Sequence, residues 1–461
     1  MKFQKRIFGL AALGASALAL ASCGTKVAAN FVCPEEFDTQ TPVTITFWHT
    51  QGDNLQKVLN EAIEEFTALY PNITVEHQQI GGYDDVRDQI VTNMGTGGYP
   101  SMAYCYPDHV ALYNEATIAV SLDDVIANGK YGLGGSELKF DGPTKEDFVE
   151  AFYNEGSVYG DGLMYTMPFL KSTEALFYNK TFFAEHNLTV PKTWEEMWET
   201  CAKIKEIDPK SCPLGYDSDS NLFITLSETY GYAYTSKNSF DFDNEGMRGL
   251  MKTFKENYNK GYFTTQGIYG TYTNTLMTDT SLDSRAYMCI GSTAGATYQA
   301  NSSGAFETGV SNVPYAAGKE AKAISQGPSL VLFKKDNAQE VLATWLFTQY
   351  LLTDSVQVRF AMTSGYLPVT KTAQNNEVYV NNFLSKADGT KNGIAATATK
   401  QAIAQNNAYF TSEVFIGSSY ARDEVGSLVS SLMQDKAAVT DELVQSYFTK
   451  AIKNCKYQAG Q

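Results

Sequence analysis

Arg422 carries the sharpest chemical option in this chain of 461 residues. A guanidinium grips a phosphate or carboxylate through two parallel N–H donors, and Lys171, beside Ser172, could add a second positive charge. Asp423 and Glu424 follow Arg422 directly, so a salt-bridged helix start is the competing reading. The second option is flat aromatic surface with polar groups around it, which suits the C–H patches and hydroxyls of a polyol or sugar. With 29 Tyr, 26 Phe and 4 Trp the material is ample, although most of it must fill cores. Trp48 ends a strand pattern beside the loop Thr50-Gln51-Gly52-Asp53, where the carboxyl edge of a sheet would face a cleft. Tyr83 opens a helix pattern after Gly81-Gly82, which lets a ligand approach the backbone and the helix N-terminus. Tyr366 stands between Gly365 and Leu367-Pro368, a restricted stretch that would hold its ring rigid. His49 reads as a structural histidine rather than a ligand group. Trp194, Trp198 and Trp345 fall on helical stripes that belong to cores.

Other chemistries find little support. The chain has no G-x-S-x-G elbow, P-loop, G-x-G-x-x-G or H-E-x-x-H, and its Asp and Glu are too scattered to nominate a catalytic pair. No catalytic residue is expected, and the chain reads as a binder rather than an enzyme. Seven Cys without a C-x-x-C pair and only four His argue against a zinc site, so neither metal nor cofactor is expected. A net charge of −16 disfavours nucleic acid and does not help binding to anionic lipid. Cys201 and Cys212 bracket one helix end and are the best local candidates for a disulfide, with buried free thiols as the alternative.

The elements that would position these residues follow an α/β rhythm. Val43–Trp48 alternates as a strand, and a helix follows with Leu55, Val58, Leu59, Ala62, Ile63, Phe66 and Leu69 on one stripe and Pro71 as its stop. A strand at 73–79, a helix at 83–94 and a strand from Met102 to Tyr106 complete a β-α-β-α-β run, which implies a parallel sheet with crossover helices. The rhythm resumes with a strand at 176–178, a capping box at Thr193 and Glu196, a helix over 244–258, and strand-length runs at 286–290 and 329–333. Asp336 is expected to cap the apolar helix through Trp345 and Leu352, and the tail is helical. The length points to two or three domains or lobes, and no stretch beyond the N-terminal run reaches membrane-spanning length.

The N-terminus supplies an address. Lys2, Lys5 and Arg6 precede an apolar run from Ile7 to Ala21, too short to span a bilayer, and Leu20-Ala21-Ser22-Cys23 follows. This resembles a bacterial lipoprotein signal, which implies cleavage after residue 22 and lipidation of Cys23, with 23–42 as a flexible tether. An ordinary secretory signal with a chance Cys is the alternative.

Further along, Thr46-Phe47-Trp48-His49, Glu64-Glu65-Phe66 with Tyr70-Pro71, Pro168-Phe169, Tyr178-Asn179-Lys180, Val190-Pro191-Lys192-Thr193-Trp194-Glu195-Glu196, Gly327-Pro328-Ser329-Leu330 and Ser364-Gly365-Tyr366-Leu367-Pro368-Val369 occur in one order. The ordered set resembles the family 1 extracellular solute-binding proteins of ABC importers. Phe47-Trp48-His49, Tyr234-Thr235-Ser236-Lys237-Asn238 and the Gly-Tyr-Leu-Pro segment are similar to that family's glycerol-3-phosphate-binding branch. The resemblance implies a two-lobed periplasmic-binding-protein-like α/β fold, each lobe a mainly parallel sheet flanked by helices. Lobe 1 would take residues 43–168 and 309–355, and lobe 2 residues 169–308 and 356–461. By motif, Tyr83, Ser172, Gly327, Tyr366 and Arg422 match ligand positions of that branch. Two positions depart: Ser220 stands where the branch has a stacking tryptophan, with Phe223 the nearest aromatic, and Pro107 stands where an acid is expected, with Asp108 one place later. The implied activity is capture of a carbohydrate or polyol phosphate by hinged lobe closure and delivery to an ABC permease. The protein would be a monomer on the extracytoplasmic face of the membrane. A cell-surface carbohydrate-active enzyme or an adhesin-type lipoprotein is the alternative.

Overall fold

The computed structural model describes residues 30–236, 239–301, 303–386 and 389–461. The signal segment and Cys23 lie outside the described residues. Ten strands form two five-stranded sheets: β1 (Val43–His49), β2 (Ile73–Gln79), β3 (Met102–Cys105), β4 (Thr166–Pro168), β5 (Glu174–Asn179), β6 (Leu214–Tyr216), β7 (Phe263–Thr265), β8 (Met288–Ser292), β9 (Thr308–Ser311) and β10 (Ser329–Leu332).

The first sheet runs β2-β1-β3-β10-β4. Val43, Ile45, Phe47 and His49 alternate inward along β1, as the period of two requires. The helix Asp53–Leu69 buries Val58, Leu59, Ala62 and Phe66 and carries the chain across to a parallel β2, with Val43 opposite Ile73 and His49 opposite Gln79. Strand β3 is parallel to β1 as the rhythm predicts, whereas β10 is antiparallel to both β3 and β4. The second sheet runs β9-β5-β8-β6-β7, with β6 parallel to β8 and β7, and β5 antiparallel to β8 and β9. Both sheets are therefore mainly parallel with one reversed strand each, β10 in the first and β5 in the second. The reversed strands are those the chain enters after changing lobes, where no βαβ crossover imposes a parallel direction.

The cores explain the division of the chain. Helix Ala338–Leu351 is buried on every face from Val341 onward, with the Trp345 indole N–H donating to the Tyr131 carbonyl at 2.8 Å. Asn337, not Asp336, caps it by accepting from the Gln339 N–H. Val356, Phe360, Leu367 and Val369 join the same first-lobe cluster, whereas Val358 and Ala361 between them pack with Ala175, Phe177 and Cys289 of the second sheet, so residues 356–369 lie against both lobes. Strand β9 belongs to the second sheet, so lobe 2 runs past residue 308. Its core gathers Trp194, Phe223, Phe254 and Phe263 with Val425, Leu428 and Phe448 from the two C-terminal helices. The chain changes lobes along 168–173, 311–329 and 365–371. There Lys171 bridges Leu367 and Ser172 bridges Gln326 as isolated antiparallel pairs.

Residues 30–42 are not a free tether. Phe31, Cys33 and Phe37 are buried in the lobe 1 core, the Cys33 N–H donates to Asp124 at 2.7 Å, and Asn30 bonds Ser121. Their apolar side chains gain more from that packing than a solvated linker could offer. All six described cysteines are free thiols, including Cys201 and Cys212. Cys201 points into the lobe 2 core from helix Trp194–Ile207, where burial drives its thiol well above the usual range. His49 is structural: its Nε2 lies 2.9 Å from Nδ1 of His77, whose Nε2 meets Asn60 at 2.9 Å. Burial, then the neighbouring His77, pushes its pKa down to about 3. Among the described residues no helix is long and apolar enough to cross a membrane.

Candidate functional site

A cleft of about 560 Å³ opens between the two sheets beside the crossover segments. From lobe 1 come Tyr83 and Tyr106; from lobe 2 come Glu174, Asp217, Asn221, Tyr272, Tyr298 and Arg422; from the crossovers come Ser172, Gln326, Gly327 and Tyr366. The mix of rings, amides and a few charged groups is that of a small polar ligand's site.

Tyr83 is the first residue of helix Tyr83–Asn93, and the Asp85 carboxylate accepts from the Gly82 N–H at 2.6 Å to fix the turn. Its ring lies 4.5 Å from that of Tyr106, which closes β3 just before the helix Pro107–Glu115. Tyr366 lines the same cleft as Tyr83. The Arg422 guanidinium sits 5.8 Å from the Tyr106 ring centroid, a cation–π contact between a lobe 2 helix, Ser418–Gln434, and a lobe 1 strand end. Among the described residues no carboxylate lies within ion-pairing distance of Arg422, so Asp423 and Glu424 do not neutralise it. Its side-chain hydrogen-bond partner is the Asn221 amide oxygen.

The floor of the cleft is acidic. Glu174 begins β5 and is nearly inaccessible. It accepts from the Tyr216 hydroxyl at 2.6 Å and from the Asn221 amide N–H at 3.1 Å. Burial pushes its pKa up to about 7 against the opposing pull of these bonds and of Arg422. Asp217 accepts from both the N–H and the hydroxyl of Thr273 at 2.6 Å, and burial raises its pKa as well.

Gly327 has φ +85°, and a Cβ there would stand 2.1 Å from the Leu170 carbonyl oxygen; only glycine fits this close approach between crossovers. Ser172 exchanges backbone hydrogen bonds with Gln326 at 2.9 Å each way, which leaves its hydroxyl facing the cleft, 3.4 Å from that of Ser292.

Tyr83, Ser172, Gly327, Tyr366 and Arg422 thus come together from five distant parts of the sequence. Three expected site residues do not line this cleft. Phe223 is fully buried in the lobe 2 core, edge-on to Phe242, because it lies on the inward face of helix Asp219–Tyr230. Trp48 packs on the Ile80, Val86 and Ala103 cluster of lobe 1, on the side of β1 opposite Phe47 and His49. Asp108 lines a separate hollow of about 60 Å³ behind Arg422. Lys171 is also spent elsewhere: it is completely buried and paired with Glu155. Tyr106, Glu174, Asp217, Asn221, Tyr272 and Tyr298 were not anticipated. Tyr106 and Asp217 follow the carboxyl ends of β3 and β6, a position that marks them; Glu174 opens an otherwise apolar strand. Among the described residues no group of three or more His, Cys, Asp or Glu could hold a metal ion.

The family model of the bacterial extracellular solute-binding proteins matches residues 61–387. The chain is similar to the sn-glycerol-3-phosphate-binding periplasmic protein UgpB of Escherichia coli K12, at 25% identity over 82% of this chain and 85% of that protein. Among solved structures, UgpB of Mycobacterium tuberculosis in complex with glycerophosphocholine aligns with TM-score 0.72 at 17% identity, covering 90% of this chain and 99% of that one. The maltose/maltodextrin-binding domain MalE of Bdellovibrio bacteriovorus bound to maltotriose aligns with TM-score 0.66 at 18% identity, covering 91% and 100%. The two-lobed architecture, the cleft between its lobes and the matched length together establish that the chain belongs to the bacterial extracellular solute-binding protein family.

Proposed function

We propose that the protein is the lipid-anchored, substrate-capturing subunit of an ABC importer and that its ligand is a polyol phosphate of the glycerol 3-phosphate class. The observation that carries the ligand class is Arg422: a guanidinium facing the cleft with an amide rather than a carboxylate as its partner. An anion there gains two charge-assisted hydrogen bonds, while Tyr83, Tyr106 and Tyr366 offer ring faces and hydroxyls to the carbon chain. Similarity to a glycerol-3-phosphate-binding relative supports the same class.

Binding drives delivery by favouring one lobe arrangement. A ligand held between Arg422 of lobe 2 and the tyrosines of lobe 1 makes contacts that exist only when the lobes approach, so it shifts the population to the closed form. The closed rims would dock on the permease, and ATP hydrolysis belongs to that partner. The anchor at Cys23 would keep the protein concentrated near the permease; Cys23→Ser should release it from the membrane into the medium or periplasm. The non-enzymatic reading predicts unchanged ligand after prolonged incubation.

Calorimetric titration with sn-glycerol 3-phosphate, glycerophosphodiesters and maltotriose tests the ligand class. One-site binding of a phosphorylated ligand, weakened roughly 10- to 100-fold by Arg422→Ala as expected for a lost charged hydrogen bond, is the expected result. Binding of maltotriose alone would replace the phosphate reading with a neutral saccharide.

A further inference from the structure

Among the described residues that line the cleft, a neutral amide stands between the one cation and the most buried carboxylate. Asn221 Nδ2 donates to Glu174 Oε1 at 3.1 Å, and Asn221 Oδ1 accepts from Arg422 Nη2. The orientation is forced by chemistry: arginine has only donors, so the amide must present its oxygen to Arg422, which leaves its N–H groups for the Glu174 carboxylate. Asn221 is 1% exposed and is held on the first turn of helix Asp219–Tyr230, where its own N–H donates to the Ser218 hydroxyl. The Tyr216 hydroxyl fixes the far oxygen of Glu174. The chain Tyr216–Glu174–Asn221–Arg422 is therefore rigid at every link.

We infer that Asn221 is the specificity-determining residue of the anion end, a positioning residue that holds Arg422 in place while keeping Glu174 from neutralising it. This rests on the reading that the cleft takes an anionic polyol. A carboxylate at position 221 would occupy the same space, pair directly with the guanidinium and compete with the ligand's phosphate for its donors. An alanine would leave Arg422 unheld and Glu174 short of one donor. Of the three, only the amide accepts from Arg422 without a charge while donating to Glu174.

The test is Asn221→Asp, a substitution of equal size that sets a carboxylate oxygen in place of the amide donor against Glu174 Oε1, so that the two acids share a proton while the guanidinium gains a charged partner. Inorganic phosphate and sn-glycerol 3-phosphate are titrated into wild type and variant over a series of salt concentrations, and the Arg422 side-chain resonances are followed by 15N NMR in the unliganded proteins. The expected result is at least a tenfold loss of affinity for both anions, a flatter salt dependence, and slower guanidinium rotation in the variant. A merely structural role for Asn221 would not change the salt dependence. Asn221→Ala should lose threefold to tenfold and keep the wild-type salt dependence. Equal anion affinity in wild type and Asn221→Asp overturns the inference and leaves the polyol-phosphate reading standing. Failure of wild type to bind either anion overturns both. If Asn221→Asp does not fold, unchanged affinity in Asn221→Ala overturns the inference by itself.

Discussion

Replacing Lys171 by Met should destabilise the protein by about 3–5 kcal/mol, the usual cost of leaving one member of a buried ion pair without its partner. The Lys171 and Glu155 side chains are 0% and 2% exposed and paired with each other. Lys171 also donates to the Ser329 hydroxyl at 3.0 Å and the Gly327 carbonyl at 3.4 Å, and so ties the crossover segments together. After the substitution Glu155 keeps the hydroxyls of Ser325 at 2.5 Å, Thr411 at 3.2 Å and Ser329 at 3.3 Å. Three neutral donors soften the loss, which places the expectation near 3 kcal/mol rather than 5. Adding Glu155→Gln removes the stranded charge, so the double variant should be less destabilised than the two single effects summed, with coupling of about 0.5–3 kcal/mol. Urea unfolding followed by tryptophan fluorescence measures this, because the buried Trp345 and Trp194 report on the cores of lobes 1 and 2. The control is Lys180→Met, which breaks the Lys180–Glu307 pair whose side chains are about half exposed; it should cost under ~1 kcal/mol. A loss under ~1 kcal/mol for Lys171→Met as well would refute the claim that burial sets the worth of this pair.

Stability should fall as pH rises from about 4.5 to 7, because Glu174 holds its proton more tightly in the folded than in the unfolded state across that window; Glu174→Gln should remove this fall in pH-dependent urea unfolding. His49 has the opposite effect: its folded pKa is about 3 against an ordinary 6.5, so stability falls as pH drops from 6.5 toward 3, and His49→Gln should flatten that limb. The two slopes oppose each other between about 4.5 and 6.5, so only the single variants expose them. Gly327→Ala should cost at least 1–3 kcal/mol and weaken ligand binding, since its Cβ would meet the Leu170 carbonyl at 2.1 Å with φ at +85°; unchanged melting would count against a rigid crossover. Thiol titration of the reduced-free, denatured protein should find Cys33, Cys105, Cys201, Cys212, Cys289 and Cys455 all free, and a missing pair at Cys201 and Cys212 would overturn this.

The first lobe's strands and helices were legible because period-two and period-3.6 patterns both survive there. Val43–His49 alternates, and the helix that follows keeps one apolar stripe. The antiparallel strands were not legible, because Glu174–Asn179 and Ser329–Leu332 are buried on both faces and their composition carries no direction. In the cleft, Tyr83, Tyr366 and Arg422 could be picked out through the family resemblance, with neighbouring glycines or charge only in support. Asn221 could not, since an asparagine on a first helical turn reads as local capping chemistry until Glu174 and Arg422 are seen on either side. Lys171 misled for a related reason. Its partner Glu155 lies 16 residues away on a short 3-10 turn that no pattern connects to it.

On the function proposed above, Arg422 would link recognition to closure in one residue. It belongs to a lobe 2 helix, yet its guanidinium lies against Tyr106 of lobe 1, and the same helix touches lobe 1 again where Arg87 donates to the Ser419 hydroxyl at 3.1 Å. An anion at Arg422 therefore sits where Tyr106 and Tyr83 converge, and every hydrogen bond it gains from the guanidinium is gained at the lobe interface. A neutral ligand would have to favour closure through weaker hydroxyl and ring contacts alone. At equal occupancy, a phosphorylated ligand should then produce the larger closed fraction, because its strongest contact is one that the open form does not offer in full.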